Sequence, residues 1–254
     1  MTAREFSASY RLAVRVLRPP MRALTRRDWR GAENLPSYSG FVACSNHITH
    51  IDPITLAHFL VDHDVPPRFL AKESLFEIPV LGRIVSGAGQ IPVRRGSADA
   101  ARSLEAAVKA VTDGECVAVY PEGTLTRDPG LWPMVGRTGA ARIALTTGVP
   151  VIPIAQWGAQ ELLAPYGKRL HVFRRPVVHV WAGPPVDLGR WEGHALDAVV
   201  LASATNAILD AITGLLEQIR HEKAPTQRWD PRQHRQPLTG DFRRADRGSS
   251  KEAG

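Results

Sequence analysis

The stretch "FVACSNHITHIDP", residues 41–53, joins two patterns that belong to different secondary structures. Phe41 to Cys44 is an unbroken apolar run of strand composition, and Asp52-Pro53 reads as the opening turn of a helix, where a carboxylate and a proline are both favoured. A strand that feeds straight into a helix is the repeating unit of an α/β domain. Asn46, His47 and His50 fall between the two, at the C-terminal end of the strand, where α/β sheets build their sites.

The same alternation extends outward from this unit. Strand-like runs recur at "RFLAK" (68–72), "QIPVRR" (90–95), "ECVAVYP" (115–121), "PVIPIAQ" (150–156) and "VVHVWAG" (177–183). Helical patterns fill the gaps: Ser97 is placed as an N-cap, with Ala101, Leu104, Val108 and Val111 on one face and Gly114 as the stop. A long helix spans about 196–221. In "KRLHVFRRPVVHVWAG", Pro176 separates two short runs and predicts an edge or bent strand pair. The fold expected is one α/β domain over 31–221 with a mixed central sheet flanked by helices.

The ends differ from this body. Residues 1–30 carry eight arginines against Glu5 and Asp28, giving +6 of the chain's net +7, whereas residues 31–220 are slightly acidic. Tyr10, Val14, Leu17, Met21 and Leu24 recur at helical spacing, with Arg11, Arg15, Arg18 and Arg22 on a neighbouring flank. Pro19-Pro20 should break this pattern into two short amphipathic helices. The segment either packs on the domain with its arginines solvated or lies on an anionic membrane surface. Residues 222–254 are polar, rich in Pro, Gly and Arg, and are expected to be disordered.

Cys44 and Cys116 lie in apolar runs and read as buried small hydrophobes, which suits a reducing compartment. The longest charge-free stretch, residues 143–160, is interrupted by Gly148, Pro150, Pro153 and Gly158, so no membrane span is expected. No signal-peptide pattern is expected in the first 30 residues.

The chemistry-bearing residues cluster at strand ends. A tight turn would fold Asp52 back onto one nitrogen of His47, fixing its tautomer and raising the basicity of the other nitrogen, as a general base requires. The alternative is that Asp52 only caps a helix. His47, His50 and Asp52 match no metal-ligand spacing, so no metal is expected. "YPEGTLTRD" (120–128) places Glu122, Gly123 and Thr124 at a second strand end, and "GQIPVRR" (89–95) ends a third strand with two arginines. No nucleophile elbow, P-loop or dinucleotide glycine fingerprint is present.

The ordered set "NHITHIDP", "GQIPVRR", "YPEGT" and "VPVIPI" resembles the glycerolipid acyltransferase family over about residues 34–188. The resemblance implies that His47 and Asp52 form the general-base pair. It implies that Arg95 binds the acceptor phosphate, and that Glu122, Gly123 and Thr124 contact glycerol and phosphate. Residues 69–82 look like the family's linking segment, with Lys72 a second candidate cation. Two departures stand out: Thr49 replaces the usual Ser, and Leu125 replaces the usual Arg, leaving Arg127 and Arg137 as the nearby cations that could substitute. The implied reaction is transfer of a fatty acyl group from acyl-CoA or acyl carrier protein to 1-acyl-sn-glycerol-3-phosphate, with no further cofactor, at the cytoplasmic face of the cell membrane. Leu125 keeps open another lysophospholipid or a glycolipid as acceptor. A non-enzymatic membrane or nucleic-acid binding module is the remote alternative; the acidic body and the lack of aromatics interleaved with arginines argue against nucleic acid.

Overall fold

The computed structural model describes residues 6–93, 99–237 and 240. These form a seven-stranded sheet ordered β1-β7-β6-β2-β5-β3-β4. The strands are β1 (Arg26–Arg30), β2 (Phe41–Ser45), β3 (Pro67–Lys72), β4 (Ile91–Val93), β5 (Cys116–Val119), β6 (Val151–Trp157) and β7 (Val177–Ala182). All neighbours pair in parallel except β6 with β7. The sheet is therefore mixed, as the sequence implied.

Its helices are α1 (Ala8–Leu24), α2 (Asp52–Asp62), α3 (Leu81–Gly87), α4 (Asp99–Thr112), α5 (Gly139–Thr147), α6 (Ala159–Leu162) and α7 (Ala198–Arg220). The period-two pleat sorts each central strand between two cores. Val42, Cys44, Val117 and Val119 join the side chains of α4, α5 and α7, while Phe41, Ala43, Cys116 and Ala118 join those of α1 and α2. Both cysteines are free and wholly buried, and burial pushes the Cys44 thiol far up. A thiol so held is a packing group, not a nucleophile.

Among the described residues, α7 is the one helix long and apolar enough to cross a membrane. Its Leu201, Ala204, Ile208, Ile212, Leu216 and Ile219 are instead spent on the sheet, so its hydropathy has a core explanation.

Three expectations are corrected. First, residues 8–24 form one helix that runs through Pro19 and Pro20 rather than two. The prolines remove amide donors to the carbonyls of Arg15 and Val16, both on exposed residues where water can satisfy them. Second, the sheet reaches into the N-terminal segment, because "RRDWR" is an edge strand. Charges suit an edge, which must resist pairing with other chains. Asp28 accepts from Nδ1 of His179 at 2.7 Å and from Nε1 of Trp181 at 3.1 Å, and Trp29 sets its ring edge-on to His58 and Phe59. With β1 covering it, β7 is an interior strand and Pro176 precedes it.

Third, the polar tail is not free from its start. Trp229 stacks on His234 with ring centres 3.5 Å apart, its carbonyl accepts the Val135 amide at 3.0 Å, and Arg228 pairs with Asp210. The stack orders residues 224–237 among themselves, and the backbone bond and ion pair hold them against the body, where composition alone suggested neither.

The arginines of the N-terminal segment also have structural work. Arg18, Arg22 and Arg27 converge on Asp62 at the end of α2. His58 lies beside the same carboxylate, but burial lowers its pKa to about 4, so it is neutral there at pH 7. Of the expected apolar seam, Tyr10 and Met21 are buried, Val14 and Leu24 are half-buried and Leu17 is exposed; with Leu12 and Val16, which lie outside the seam, Leu17 makes an exposed apolar flank.

Candidate active site

Four strands present their C-terminal ends side by side in the order β2, β5, β3, β4. The turn after β2 carries His47 back over the start of α2. Asp52 is in the first turn of α2 and is 1% exposed. Its Oδ2 accepts three hydrogen bonds: from the amide of Ile48 at 2.5 Å, the amide of Thr49 at 2.8 Å, and Nδ1 of His47 at 3.0 Å. Because a carboxylate oxygen only accepts, Nδ1 carries the imidazole proton and Nε2 is left with its lone pair. The five-residue separation is thus bridged by a turn wound around one carboxylate oxygen.

The imidazole is held from a second direction. Tyr120, immediately after β5, stacks on His47 with ring centres 4.1 Å apart and planes 20° from parallel. Burial, and then the nearby charge of Asp52, raise the Tyr120 phenol well above its ordinary pKa, so it stays protonated. Sequence reasoning passed over Tyr120; its place immediately before Pro121-Glu122 was the available signal.

Glu122 points into the protein. Oε1 accepts the His47 amide and Oε2 accepts the Met134 amide, each at 3.0 Å, and the side chain is 2% exposed. Burial raises its pKa to about 8, against the opposing effect of the two amide bonds. A third tie is made by the Thr126 amide, which donates to the His47 carbonyl at 2.6 Å. Together these staple the loop after β5 to the loop after β2. Gly123 adopts a left-handed φ of +71°, and a Cβ there would come within 2.9 Å of the Arg137 side chain. Arg137 therefore lies across this turn with its side chain exposed, and Thr124 is half-buried beside it.

A buried polar network fixes the other side. Asn46 and Gln156 exchange hydrogen bonds, the Asn46 side-chain amide donating to the Gln156 carbonyl at 2.9 Å and the Gln156 backbone amide donating to Asn46 Oδ1 at 2.8 Å. Gln156 also reaches Ser45 and Thr55. The Thr49 hydroxyl donates to the Leu163 carbonyl at 2.8 Å. Gln156 and Thr55 were not singled out from the sequence, since their partners lie about a hundred residues away.

Lys72 ends β3, exposed and in register with Val93. Arg95, two residues beyond Val93, lies outside the described residues, as does the Ser97 cap. Leu125 is buried at 2% exposure and Arg127 at 3%. His50 is exposed and faces Tyr166 edge-on. Among the described residues, no group of three or more His, Cys, Asp or Glu side chains is placed to hold a metal ion.

Comparison with known proteins bears on the fold and the family. A 1-acyl-sn-glycerol-3-phosphate acyltransferase of Borreliella burgdorferi is 28% identical over 75% of this chain and 71% of its own length. One from Bacillus subtilis is 28% identical over 72% of this chain and 84% of its own. A chloroplastic 1-acyl-sn-glycerol-3-phosphate acyltransferase of Brassica napus is 34% identical over 54% of this chain, and that match spans only 39% of the plant protein. The crystal structure of the 1-acyl-sn-glycerophosphate acyltransferase of Thermotoga maritima superposes with a TM-score of 0.61 over 85% of each chain, at 22% identity, and shares the fold. The family model described as Acyltransferase matches residues 26–157, from β1 through the end of β6 and so across every strand end described above. This chain belongs to the acyltransferase family.

Proposed function

We propose that this protein transfers a fatty acyl group from a thioester to the free hydroxyl of 1-acyl-sn-glycerol-3-phosphate, giving phosphatidic acid. The observation that carries the reading is the His47 imidazole, oriented through Nδ1 by buried Asp52 with Nε2 left as the base. Nε2 takes the proton of the acceptor hydroxyl as its oxygen attacks the thioester carbon. The C–O bond forms, the C–S bond breaks, and the departing thiolate recovers a proton from the imidazolium. Asp52 stabilises that imidazolium. A positioned base of this kind contributes roughly 100- to 10,000-fold. Tyr120 and Glu122 act through His47, one stacking on its ring and the other fixing its backbone.

Arg95 binds the acceptor phosphate, with Lys72 and Arg137 as further cations near the strand ends, and Gly123-Thr124 lies against the glycerol. The donor is acyl-CoA or acyl carrier protein, and thioester chemistry of this kind requires no other cofactor. The enzyme works as a peripheral protein on the cytoplasmic face of the cell membrane, since lysolipid and product both carry chains that resist leaving a bilayer by about 0.8 kcal/mol per methylene. The exposed apolar flank of α1 supports this docking. So do Leu75, Ile78, Val80 and Leu81, exposed just before and at the start of α3, which packs on α1.

Purified full-length protein should convert lysophosphatidic acid and an acyl thioester to phosphatidic acid. Lysolipids without a phosphate monoester should be poor acceptors. Arg95→Ala should raise the KM for lysophosphatidic acid far more than that for the donor. A clear preference for a phosphodiester or glycolipid acceptor would move the function to that substrate, which buried Leu125, in the place of the family's usual Arg, keeps as the second reading.

A further inference from the structure

The loop between α6 and β7 carries "KRLHVFRR", residues 168–175, and every one of these side chains is exposed. Phe173 is 99% exposed, Leu170 47% and Val172 39%. Lys168, Arg169, Arg174 and Arg175 surround them, the segment holds no carboxylate, and none of the four cations forms an ion pair among the described residues. A fully solvated phenylalanine between unpaired arginines gains nothing for the folded domain.

The segment is nevertheless a built protrusion. The His171 amide donates to the Leu162 carbonyl at 2.8 Å, Leu163 bridges Leu170, and the Arg174 amide returns to the His171 carbonyl. Arg175 takes a left-handed φ of 42°, and Pro176 is buried, its carbonyl accepting the Arg26 amide at 2.8 Å. The root of the loop belongs to the site: Leu163 accepts from Thr49, and the Tyr166 hydroxyl donates to the Leu125 carbonyl at 3.2 Å. Because β6 runs parallel to β2, the chain enters this protrusion from the end of the sheet that carries His47.

We propose that residues 168–175 form a bilayer wedge, with Phe173, Leu170 and Val172 entering the interface of an anionic membrane and the four cations resting on its headgroups. Charge complementarity and the apolar tip select this partner: an acidic protein would satisfy the arginines, but the isolated aromatic tip would need a pocket, which a bilayer supplies without shape matching. The proposal rests on the lipid-substrate reading and adds to it a contact far in sequence from α1. The wedge would seat the membrane at the end of the sheet where the hydroxyl must meet His47, so that a lysolipid reaches the base by lateral movement.

The test uses the full-length Phe173→Cys variant labelled with a polarity-sensitive dye; Cys44 and Cys116 are wholly buried and do not compete. Vesicles of phosphatidylglycerol free of lysolipid should shift the emission to the blue, and quenchers carried on lipid chains should reach the dye. In unlabelled protein, Arg174→Gln with Arg175→Gln should weaken vesicle affinity by about 30-fold, and Phe173→Ala by at least about 10-fold. Turnover of a water-soluble short-chain acceptor should be unchanged in both. Emission identical with and without vesicles would overturn the proposal, as would a dye response to acidic acyl carrier protein but not to vesicles. Insertion of the dye in a protein that fails to acylate lysophosphatidic acid would refute the proposed substrate and leave the wedge standing.

Discussion

Glu122 meets His47 through the backbone: Oε1 of one accepts the amide of the other at 3.0 Å, while Oε2 holds the Met134 amide 12 residues further along the chain. The imidazole is therefore aimed by two acidic side chains with different tasks. Asp52 sets the ring and its proton; Glu122 sets the main chain from which the ring projects.

His47→Ala should lower kcat by roughly 100-fold or more while leaving the circular dichroism spectrum and Tm close to the parent, because the ring is a partly exposed group whose loop is fixed by other atoms. Asp52→Asn should be impaired to a similar degree, since an amide can orient the ring but cannot balance an imidazolium. Near-parental turnover in Asp52→Asn would reduce Asp52 to a helix-start residue.

The Glu122 carboxyl binds its proton more tightly in the folded chain than in the unfolded one, where its pKa is ordinary. Its favourable contribution is complete below about pH 4.5, declines as pH rises, and is lost by about pH 8, the folded value. In Glu122→Gln this slope disappears, so the Tm advantage of the parent over the variant should narrow between pH 5 and pH 8. A constant difference across that range would show that the carboxyl does not titrate there.

Leu125→Arg, which would restore the family's usual residue, should not simply add a phosphate ligand. The Leu125 side chain is almost wholly buried, and an unpaired cation at such a position costs several kcal/mol or forces the loop open. Thermal melts should show destabilisation on the order of 3 kcal/mol, with lysophosphatidic acid affinity no better than the parent's.

Asp62→Asn should release Arg18, Arg22 and Arg27 together. Each pair, half-exposed on its arginine side, is worth at most about 1 kcal/mol, so the three together bound the loss at about 3 kcal/mol and Tm should fall by several degrees at most. Binding to anionic vesicles should rise as the arginines become available. Reversal of all four helical arginines would confound these effects, because Glu at positions 18 and 22 would face Asp62; Arg11→Glu with Arg15→Glu tests the membrane role alone, and should weaken sedimentation with phosphatidylglycerol vesicles.

Removal of the chain after Lys223 should reach the site from a distance. The Trp229 carbonyl holds the Val135 amide, next to the Met134 amide that holds Glu122. Loss of that support should lower kcat on the order of 10-fold through misplacement of His47. Unchanged turnover would show that the Met134 loop is held without residues 224–237.

The sequence by itself determined the α/β class, six of the seven strands, the long closing helix and the pairing of two residues at the first strand end, because each is written in local periodicity or in residues only five apart. His47 and Asp52 could be paired on paper since one turn joins them. The edge strand Arg26–Arg30 was hidden: its charges read as part of a basic helix, and only pairing with β7, 150 residues later, makes them an edge. The direction of the Glu122 carboxylate was equally beyond local pattern. The family resemblance implies a substrate contact for Glu122, and only the fold reveals that its oxygens also accept the amides of His47 and Met134. Tertiary structure likewise decided which arginines of α1 are bound to Asp62 and which apolar flank is left in water, because one amphipathic stripe can serve a core or a membrane and periodicity is the same for both.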